Sequence, residues 1–566
     1  MDEKLALVGS YVRTIRNSRT PICSLPAELL NSIFALTQEP PAQFMPVSPR
    51  LRFDATQAAR NKWHASLLAG VCRYWRAVTL TFPTIWTTVD IGDITRAPNA
   101  NIELAMLSLR RSYAATVDVR IWDQVPDSAL PWFSETLASQ SIRFKGFHMC
   151  NLAHGTKLLD IFSECPAPQL ESLTIQTWPH HGENAVATPS LSQLPPLFAG
   201  ITPHLRRLTL RWYTSWPGNR FSNLTHLCLE HQSSHPSSLR RTSDFFQLLA
   251  SSPLLEELIL NAAGPNDGGL LDSQTPESRI EFSHLRKVII KACPIPCAAR
   301  ILSHIQISMK AHVQVLRCRT GSASTLLSSV AGCANLANIT RLRIDSLISS
   351  WNLDDITNLP DIPKCLRLTG SGNASIDVFP GADVHEVASN QYMASLVGML
   401  TSCRIQELWL GKDEVVIREA LWQRVFFAMP MLKRLYIGPH LSASNDSYPC
   451  LSALHVPDAN LGLALPCPNL TELVLLGTTL DGASLAQPQI RRLLQERKHR
   501  GFPIQAVKIV TIPDDFLFKI SCTLLEEDLA DLRQLVDNVE VCEVNASRYP
   551  NMEGLNEAQV SGERLF

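Results

Sequence analysis

The chain of 566 residues lacks a net charge, a long apolar run and a leader-like N-terminus. Its 51 Lys and Arg balance 52 Asp and Glu, so no charge excess points to nucleic acid or to an anionic membrane. No run of about 18 apolar residues predicts a transmembrane helix. The opening MDEKLALVGS has no basic stretch before an apolar one, as a signal peptide would. We expect a cytoplasmic or nuclear protein that binds neither nucleic acid nor membrane.

Motifs for catalysis and metal binding are also missing. There is no GxSxG, no phosphate-binding GxxxxGK[ST] loop, no HExxH and no paired CxxC. The 15 scattered cysteines are expected to be small buried residues of a reducing compartment. Cys293 and Cys297, with His304 and His312, match no common zinc spacing. The sequence predicts a protein that is not an enzyme and that needs no cofactor or metal ion.

Two short apolar helical patterns stand near the N-terminus. The first has apolar residues at helical spacing: Leu25, Leu29, Leu30, Ile33 and Phe34. The second, predicted as one helix, repeats this spacing: Leu68, Val71, Cys72 and Trp75. Two short helices cannot bury this much apolar surface between themselves, so the remainder must pack on another domain or on a partner.

These residues resemble an F-box. The marks are LPAELLNSIF, which begins at Leu25, VCRYWR, which begins at Val71, and LTFPTIW, which ends at Trp86. F-boxes dock on the Skp-type adaptor of cullin–RING ubiquitin ligases. The resemblance implies adaptor contacts at the following positions: Leu25, Pro26, Leu29, Leu30, Ile33, Phe34, Val71, Cys72, Trp75, Pro83 and Trp86. The alternative is an ordinary helical hairpin packed on its own chain.

The F-box-like region covers residues 21–90 and follows an N-terminal helical segment at residues 1–20. It departs from the compact pattern by an insert at about residues 38–62. The insert carries four prolines: Pro40, Pro41, Pro46 and Pro49. Because proline denies regular hydrogen bonding, we expect a mobile loop there.

A phrase of the form PxLxxLx, followed by an apolar residue, recurs from about residue 165. It begins at Pro168, Pro203, Pro253, Pro430, Pro449 and Pro468, and with serine at Ser222 and Ser283. Weaker copies begin at Val313, Ile339, Ile405 and Ile504, and LRL at Leu366–Leu368 is a candidate degenerate copy. Proline stops a preceding helix, and the LxL end alternates as a half-buried strand does. Each phrase therefore predicts a strand preceded by a turn.

The phrases are about 30 residues apart and resemble an irregular leucine-rich repeat. The resemblances together imply an α/β fold: an N-terminal helical F-box, then a solenoid with parallel strands on one face and helices on the other. We expect a linker or capping region at residues 91–165, the solenoid at residues 166–544 and a flexible tail at residues 545–566.

Polar positions on the predicted strands suggest where a target binds. On three successive strands these positions are basic, with Asp345 as the one acidic exception: Lys287 and Lys291, Arg317 and Arg319, Arg341 and Arg343. Trp409 and Tyr436 occupy equivalent positions on neighbouring strands farther along. Since clustered Arg suits oxyanion recognition, we expect one patch that binds an acidic or phosphorylated segment. A solvated polar face is the alternative.

Two functions remain open from the sequence. The first is the substrate-recognition subunit of an SCF-type cullin–RING ligase, with the F-box on the Skp-type adaptor and the repeats on a target protein. The second is a leucine-rich-repeat interaction scaffold without a ubiquitin role. Exposure of Leu29 and Trp75 on one face would favour the first, and their burial in the chain's own fold the second.

Overall fold

The computed structural model describes most of the chain, in two compact units. The first is Met1–Leu255 with Ala263–Thr275, and the second is Glu256–Ala262 with Pro276–Phe566. The described residues are 2–37, 64–92, 98–122, 125, 127–152, 156–177, 194–212, 221–232, 242–265, 279–318, 323–345, 365–370, 375–380, 389–410, 419–437, 449–455, 465–477, 483–511 and 526–543. The predicted loop at 38–62 and the tail at 545–566 lie outside them.

The first unit begins with short helices. They are α1 (Asp2–Ser18), α2 (Ala27–Thr37), α3 (His64–Val71) and α4 (Arg73–Thr81), with 3-10 turns at Pro21–Ser24 and Pro83–Trp86. Their buried core consists of Leu30, Phe34, Val78, Ile85 and Trp86. Helices α2 to α4 therefore have a small core of their own.

The prediction of one helix through VCRYW is wrong, because the chain breaks at Cys72. Cys72 is extended, with φ −158° and ψ 171°, and separates α3 from α4. Its Sγ accepts a hydrogen bond from the backbone N–H of Trp75 at 3.4 Å. A side-chain cap of this kind satisfies one of the free N–H groups of a helix start, so α4 begins anew at Arg73.

Six parallel strands follow in the first unit and pair in chain order. They are β1 (Thr88–Ile91), β2 (Val117–Ile121), β3 (Phe144–Leu152), β4 (Ser172–Thr177), β5 (Arg207–Arg211) and β6 (His226–Glu230). The helices are α5 (Pro98–Arg111), a helical stretch at 127–143, α6 (Thr156–Ile161) and α7 (Thr242–Ala250). The expected linker at 91–165 thus contains β2 and β3.

One face of this sheet is apolar and fully buried. Residues at the same level on consecutive strands are Val119, Phe147, Leu173, Leu208 and Leu227, and each is at most 1% exposed. The alternate positions are polar, as the period of two in a strand requires. The sheet of the first unit therefore has an apolar core face and a polar face.

The second unit carries the remaining strands and helices. The strands are β7 (Glu257–Asn261), β8 (Ile280–Glu281), β9 (Lys287–Lys291), β10 (Ile305–Gln306), β11 (His312–Cys318), β12 (Ile339–Asp345), β13 (Cys365–Gly370), β14 (Ser375–Pro380), β15 (Glu407–Leu410), β16 (Arg434–Ile437), β17 (Glu472–Gly477), β18 (Ala506–Thr511) and β19 (Asn538–Glu543). The helices are α8 (Ile295–His304), α9 (Ala323–Val330), α10 (Ser389–Leu400), α11 (Glu419–Phe427), α12 (Pro449–Ala453), α13 (Ala483–His499) and α14 (Glu526–Leu535).

The strand order of the second unit is β7, β9, β11, β14, β13, β12, β15, β16, β17, β18, β19. All of these neighbours run parallel except β13, which is antiparallel to β12 and β14. Strands β8 and β10 form a separate parallel pair. The expected α/β class with mostly parallel strands is confirmed. None of the described helices is long and apolar enough to cross a bilayer.

The strongest phrases predict their strands correctly. In seven of them the strand begins four residues after the first residue of the phrase, at Ser172, Arg207, His226, Glu257, Lys287, Arg434 and Glu472. Two predictions are wrong. The phrase at Pro449 forms helix α12, and β16 pairs directly with β17. Leu366–Leu368 lies in a strand, but that strand is antiparallel rather than a repeat copy.

Candidate interaction surfaces

Exposed apolar side chains are concentrated at the N-terminal helices. Among the described residues, 22 large hydrophobic side chains are exposed, and twelve of them lie between Leu5 and Val71. Scattered single apolar residues are normal on protein surfaces, whereas a dense group marks an interaction site. This stretch of the chain is therefore the leading candidate for a partner-binding surface.

The structure divides the predicted adaptor contacts into three groups. Four are exposed: Pro26, Leu29, Ile33 and Val71. Four are half-buried: Leu25, Cys72, Trp75 and Pro83. The other three, Leu30, Phe34 and Trp86, are at most 3% exposed. The prediction of direct contact is wrong for these three, because they form the core that supports the surface.

Internal contacts fix the exposed residues in place. The rings of Phe34 and Trp75 pack with centroids 4.8 Å apart. The Tyr74 hydroxyl donates to the Leu25 carbonyl at 2.6 Å, and Trp86 Nε1 donates to the Thr79 carbonyl at 2.7 Å. These contacts tie the 3-10 turns and α2 to α4, so the apolar surface is preformed.

Sequence reasoning missed several residues of this surface. Leu36 and Leu67 are both more exposed than Leu29. Leu36 continues the spacing of Leu29 and Ile33 by another turn of α2, a signal that was present in the sequence. Helix α1 also exposes apolar side chains that the sequence analysis did not single out: Leu5, Leu7, Val8, Tyr11, Val12 and Ile15. We call the exposed large apolar residues of α2 and α3, together with Pro26 just before α2, the α2–α3 surface: Pro26, Leu29, Ile33, Leu36, Leu67 and Val71.

The exposure of Leu29 and of Trp75, which was expected to separate a receptor from a scaffold, differs between the two residues. Leu29 is 54% exposed, as a receptor of a partner would require. Trp75 is half-buried against Phe34, and its Nε1 atom is buried with no hydrogen-bond partner among the described residues. Leu29 therefore lies on the open surface, while Trp75 belongs partly to the fold.

A ladder of ion pairs crosses four strands on the polar face of the second unit. Arg341 Nε lies 3.0 Å from Glu407 Oε2, and Arg434 Nη1 lies 2.9 Å from Glu407 Oε1. Arg434 Nε lies in turn 2.9 Å from Glu472 Oε2. The charges alternate along β12, β15, β16 and β17, so they neutralise each other. We call these four residues the charge ladder.

Beside the charge ladder lies an aromatic pair. The rings of Trp409 and Tyr436 stack with centroids 3.6 Å apart and planes 7° apart. Both residues are half-buried, and Arg343 is the partner of Trp409 in the next strand. Burial is the main cause that raises the pKa of Tyr436. The flat, partly open rings can take an apolar group of a partner.

The expectation of one basic patch is wrong in its geometry. Strands β14 and β13 lie between β11 and β12, so Lys287 and Arg341 are four strands apart, about 19 Å by the usual strand spacing. His312 and Leu316, rather than Arg317 and Arg319, pair with Lys287 and Lys291. Arg317 lies in β11 beyond Leu316, the last residue that pairs with β9, and Arg319 lies outside the described residues. Glu407 also neutralises Arg341.

The polar face of the first unit carries buried charge. Arg211 Nε lies 3.7 Å from Glu230 Oε2, and both side chains are 2% exposed. His148 Nδ1 shares a 3.0 Å hydrogen bond with Thr174 Oγ1, while its Nε2 is buried without a partner in the described part of the chain. Burial lowers the pKa of His148 to about 3, helped by Arg120 and Arg207.

Gly146 makes room for this arrangement. A Cβ at Gly146 would collide with Asp118 Oδ1 and would lie 2.9 Å from His148 Nε2. The carboxylate and the imidazole therefore both lie close to the backbone of Gly146, and burial raises the pKa of Asp118. The neutral histidine and the crowded carboxylate are consistent with a structural role in the sheet.

The cysteines behave as core residues. The structure describes the side chains of twelve cysteines, all free thiols, and seven of these are buried. Burial raises the pKa of Cys333 to about 12 and has the same effect at Cys403, so these thiols stay protonated. Across the described ranges, no three His, Cys, Asp or Glu side chains group closely enough to hold a metal ion.

Comparison with known proteins identifies no family for this chain. No family model matches it, and no curated protein matches it. One matching solved structure is the crystal structure of the Rad7 and Elc1 complex in yeast, at 9% identity and a TM-score of 0.30, over 77% of this chain and 92% of that chain. A similarity of that size carries no argument about fold or function.

Proposed function

We propose that this chain is the substrate-recognition subunit of an SCF-type cullin–RING ubiquitin ligase. The single observation that carries the proposal is the α2–α3 surface, a preformed and exposed apolar face at the segment whose sequence resembles an F-box. We expect it to dock on a Skp-type adaptor, which in turn would join the chain to the cullin. In this role the chain is not an enzyme, and it acts in the cytoplasm or the nucleus.

The geometry supports this docking mode. Leu29, Ile33 and Leu36 share one side of α2, and Leu67 and Val71 are one turn apart on α3. Specific interfaces bury about 1,200–2,000 Å², and a few central apolar residues dominate their affinity. Leu30, Phe34 and Trp86 hold the helices from below, so binding needs little reorganisation.

The target site is proposed for the polar face of the second unit. The Trp409–Tyr436 pair offers an apolar anchor, and Arg343 offers a charge beside it. Lys287 and Lys291 form a separate basic position on β9. The chain would contribute proximity and orientation, while the partner subunits carry out ubiquitin transfer.

The proposal is tested by binding of the purified full-length chain to a purified Skp-type adaptor. The variant Leu29→Asp with Val71→Asp places one charge on the exposed side of α2 and one on that of α3, at side chains that are both more than half exposed. We expect affinity to fall at least about 30-fold, or roughly 2 kcal/mol. The matched control is Met309→Asp, because Met309 is also 54% exposed. Equal binding by both variants and the wild type would remove the proposal.

The second candidate is an interaction scaffold without a ubiquitin role. The packing of Trp75 on Phe34 favours it, since that ring serves the chain's own core. Affinity purification of the wild type and of the Leu29→Asp, Val71→Asp variant from cells separates the two functions. A receptor loses adaptor and cullin but keeps its other partners, whereas a scaffold never captures adaptor or cullin.

A further inference from the structure

The turns before four neighbouring strands of the second unit form one edge of its sheet. Strands β15, β16, β17 and β18 pair in this order. Hydrogen bonds continue the pairing into the turns, since Lys433 N–H donates to the Gln406 carbonyl at 2.8 Å and Thr471 N–H donates to the Lys433 carbonyl at 3.0 Å. We call six exposed residues of these turns and of the end of α13 the β15–β18 rim: Arg404, Met431, Lys433, Lys498, Arg500 and Phe502.

Side chains next to the rim hold its turns in place. Asn469 Nδ2 donates to the Pro430 carbonyl at 2.9 Å, which joins the turns before β17 and β16. Arg497 is fully buried. It donates to the Pro466 carbonyl at 3.1 Å and to the Cys467 carbonyl at 2.8 Å, which joins α13 to the turn before β17. The rim is therefore preformed.

The cations of the rim have no carboxylate partner in the described part of the chain. The side chains of Arg404, Lys433 and Arg500 make no hydrogen bond or ion pair with another described residue. Lys498 Nζ donates to the Gln534 carbonyl at 3.1 Å. The four turns contain no Asp or Glu: residues 401–406, 428–433, 465–471 and 500–505. The rim thus carries positive charge that its own turns do not neutralise.

Acidic side chains near the rim are occupied by other cations. Glu496 Oε1 lies 2.8 Å from Arg492 Nε, and Glu496 Oε2 lies 2.9 Å from His455 Nδ1. The glutamates of the charge ladder are held by its arginines, and Asp537 precedes β19, beyond the rim. Arg497, which is buried beside the rim, also has no carboxylate partner among the described residues, and its Nε makes no hydrogen bond with them.

Equivalent positions elsewhere in the second unit show a neutralised cation. Lys433 directly follows the first leucine of its phrase, as Arg286 and Glu256 follow theirs in the turns before β9 and β7. Strands β7 and β9 are neighbours, and Arg286 forms an ion pair with Glu256. The neighbours of Lys433 at this position are Gln406 and Thr471, which carry no charge. The lysine therefore remains available to an external anion.

Helix ends explain only some of these cations. Lys498 lies in the last turn of α13 and Arg500 just beyond it, where cations interact favourably with the carbonyl end of a helix. Arg404 and Lys433 lie four and six residues beyond the preceding helices, outside the turn in which that interaction acts. These two cations point to a partner for the rim.

Two apolar side chains accompany the cations. Met431 and Phe502 are each 45% exposed, and their strands are two spacings apart, about 10 Å. From the cations without carboxylate partners and this apolar pair, we propose that the β15–β18 rim binds a short extended segment of a partner protein that is rich in Asp and Glu and carries large apolar side chains. The four strands span three spacings, about 14 Å, which four or five extended residues cover.

The proposal goes beyond the proposed function, because it uses neither the α2–α3 surface nor the Trp409–Tyr436 pair. An anionic membrane is the other kind of surface that basic and apolar side chains bind together. Membrane binding needs apolar side chains that reach roughly 5–10 Å into the lipid boundary. More than half of the surface of Met431 and of Phe502 is buried on their own chain, so a protein segment fits the rim better.

Fluorescence anisotropy of the labelled peptide SEELEELS with the purified full-length chain tests the proposal. We expect a dissociation constant on the order of 100 μM. Binding should weaken at least about fivefold when NaCl is raised from about 50 to 300 mM, because salt screens exposed charges. The neutral peptide SQQLQQLS should bind at least about tenfold more weakly. No binding of SEELEELS, or equal binding of the two peptides, overturns the proposal.

A charge variant locates the peptide on the rim. Lys433→Glu with Arg500→Glu should weaken the binding of SEELEELS at least about tenfold. The control is Lys310→Glu with Arg110→Glu, which makes the same change in net charge at exposed cations outside the rim, and it should bind like the wild type. Equal losses in the two variants, or no loss in the first, overturn the proposal.

The apolar side chains and the lipid alternative have their own readouts. Met431→Ser with Phe502→Ser should weaken the binding of SEELEELS about threefold through lost apolar contact, and an unchanged affinity overturns the apolar part of the proposal. Cosedimentation with vesicles of phosphatidylserine and phosphatidylcholine should show no binding. Vesicle binding by the wild type that Lys433→Glu with Arg500→Glu abolishes assigns the rim to a lipid surface and overturns the protein segment.

Discussion

At the scale of single residues, Cys72 decides how the N-terminal helices present their side chains. Its extended backbone ends α3, and its sulfur caps α4 through the Trp75 N–H. The break sends Trp75 toward Phe34 and leaves Val71 on the open side. A continuous helix through this position would carry Val71 and Trp75 on one face, so the break separates a surface residue from a core residue.

Substitutions of Cys72 test whether its sulfur caps α4. Cys72→Ala removes the acceptor and should lower the opening free energy of α4 by about 0.5–2 kcal/mol, whereas Cys72→Ser keeps an acceptor and should change it little. Hydrogen exchange of the backbone amides in Arg73–Thr81 measures the effect. Equal exchange in the alanine and serine variants would contradict a capping role.

His148 should make the fold sensitive to acid. Its pKa is about 3 in the folded chain and 6.5 as an ordinary histidine. The unfolded chain therefore binds a proton that the folded chain does not between these values, so stability is lost as pH falls through this window. The raised pKa of Asp118 acts in the opposite direction, in a window that begins at its ordinary value of 3.8 and extends upward.

A glutamine at position 148 removes this titration. Between pH 7.5 and 5.5, we expect the wild type to lose roughly 1–2 kcal/mol more of unfolding free energy than His148→Gln. Urea unfolding of both proteins at the two pH values gives the comparison. Parallel losses in the two proteins would show that His148 is not the titrating group.

At the scale of elements, the charge ladder holds the polar edge of four strands together. Glu407 is the central acceptor, with a side chain only 13% exposed between two arginines. Glu407→Gln should destabilise the chain by about 1 kcal/mol, near the upper end for such pairs. Glu540→Gln is the control, because Glu540 is half exposed in its 3.1 Å pair with Lys508. Urea unfolding should show a larger loss for Glu407→Gln, and equal losses would contradict the ladder's role.

The strand phrases show what could be predicted from sequence. The proline or serine that begins a phrase correctly predicted the first residue of seven strands, each four positions later. This works because local turn chemistry decides where a strand begins. The prediction of a strand in the phrase at Pro449 is wrong, because proline also starts helices. The following residues, Cys450 and Leu451, are buried on helix α12. The insertion of β13 and β14 between β11 and β12 could not be predicted, because strand order depends on tertiary pairing.

The sequence predicted which apolar residues belong to the N-terminal helices, but not which of them are exposed. Helical spacing identified Leu29, Ile33 and Val71, which are exposed. It could not separate them from Leu30, Phe34 and Trp86, because an apolar stripe looks the same whether its own chain or a partner covers it. The prediction of one basic patch is wrong for a related reason. Glu407, which neutralises Arg341, lies on another strand 66 residues away in the sequence.

At the scale of the whole molecule, the account assigns separate tasks to separate surfaces. The first unit carries the α2–α3 surface, which we propose for the adaptor, and the second unit carries the aromatic pair, which we propose for a target. The proposed receptor function requires that both surfaces bind their partners at the same time.

The most direct test of the central claim is hydrogen exchange of the full-length chain with and without a purified Skp-type adaptor. We expect slower exchange in Ala27–Thr37, His64–Val71 and Arg73–Thr81 when the adaptor is bound. We expect no change at Glu407–Leu410 and Arg434–Ile437, the strands of the aromatic pair. Unchanged exchange in the three helices at saturating adaptor would contradict the account.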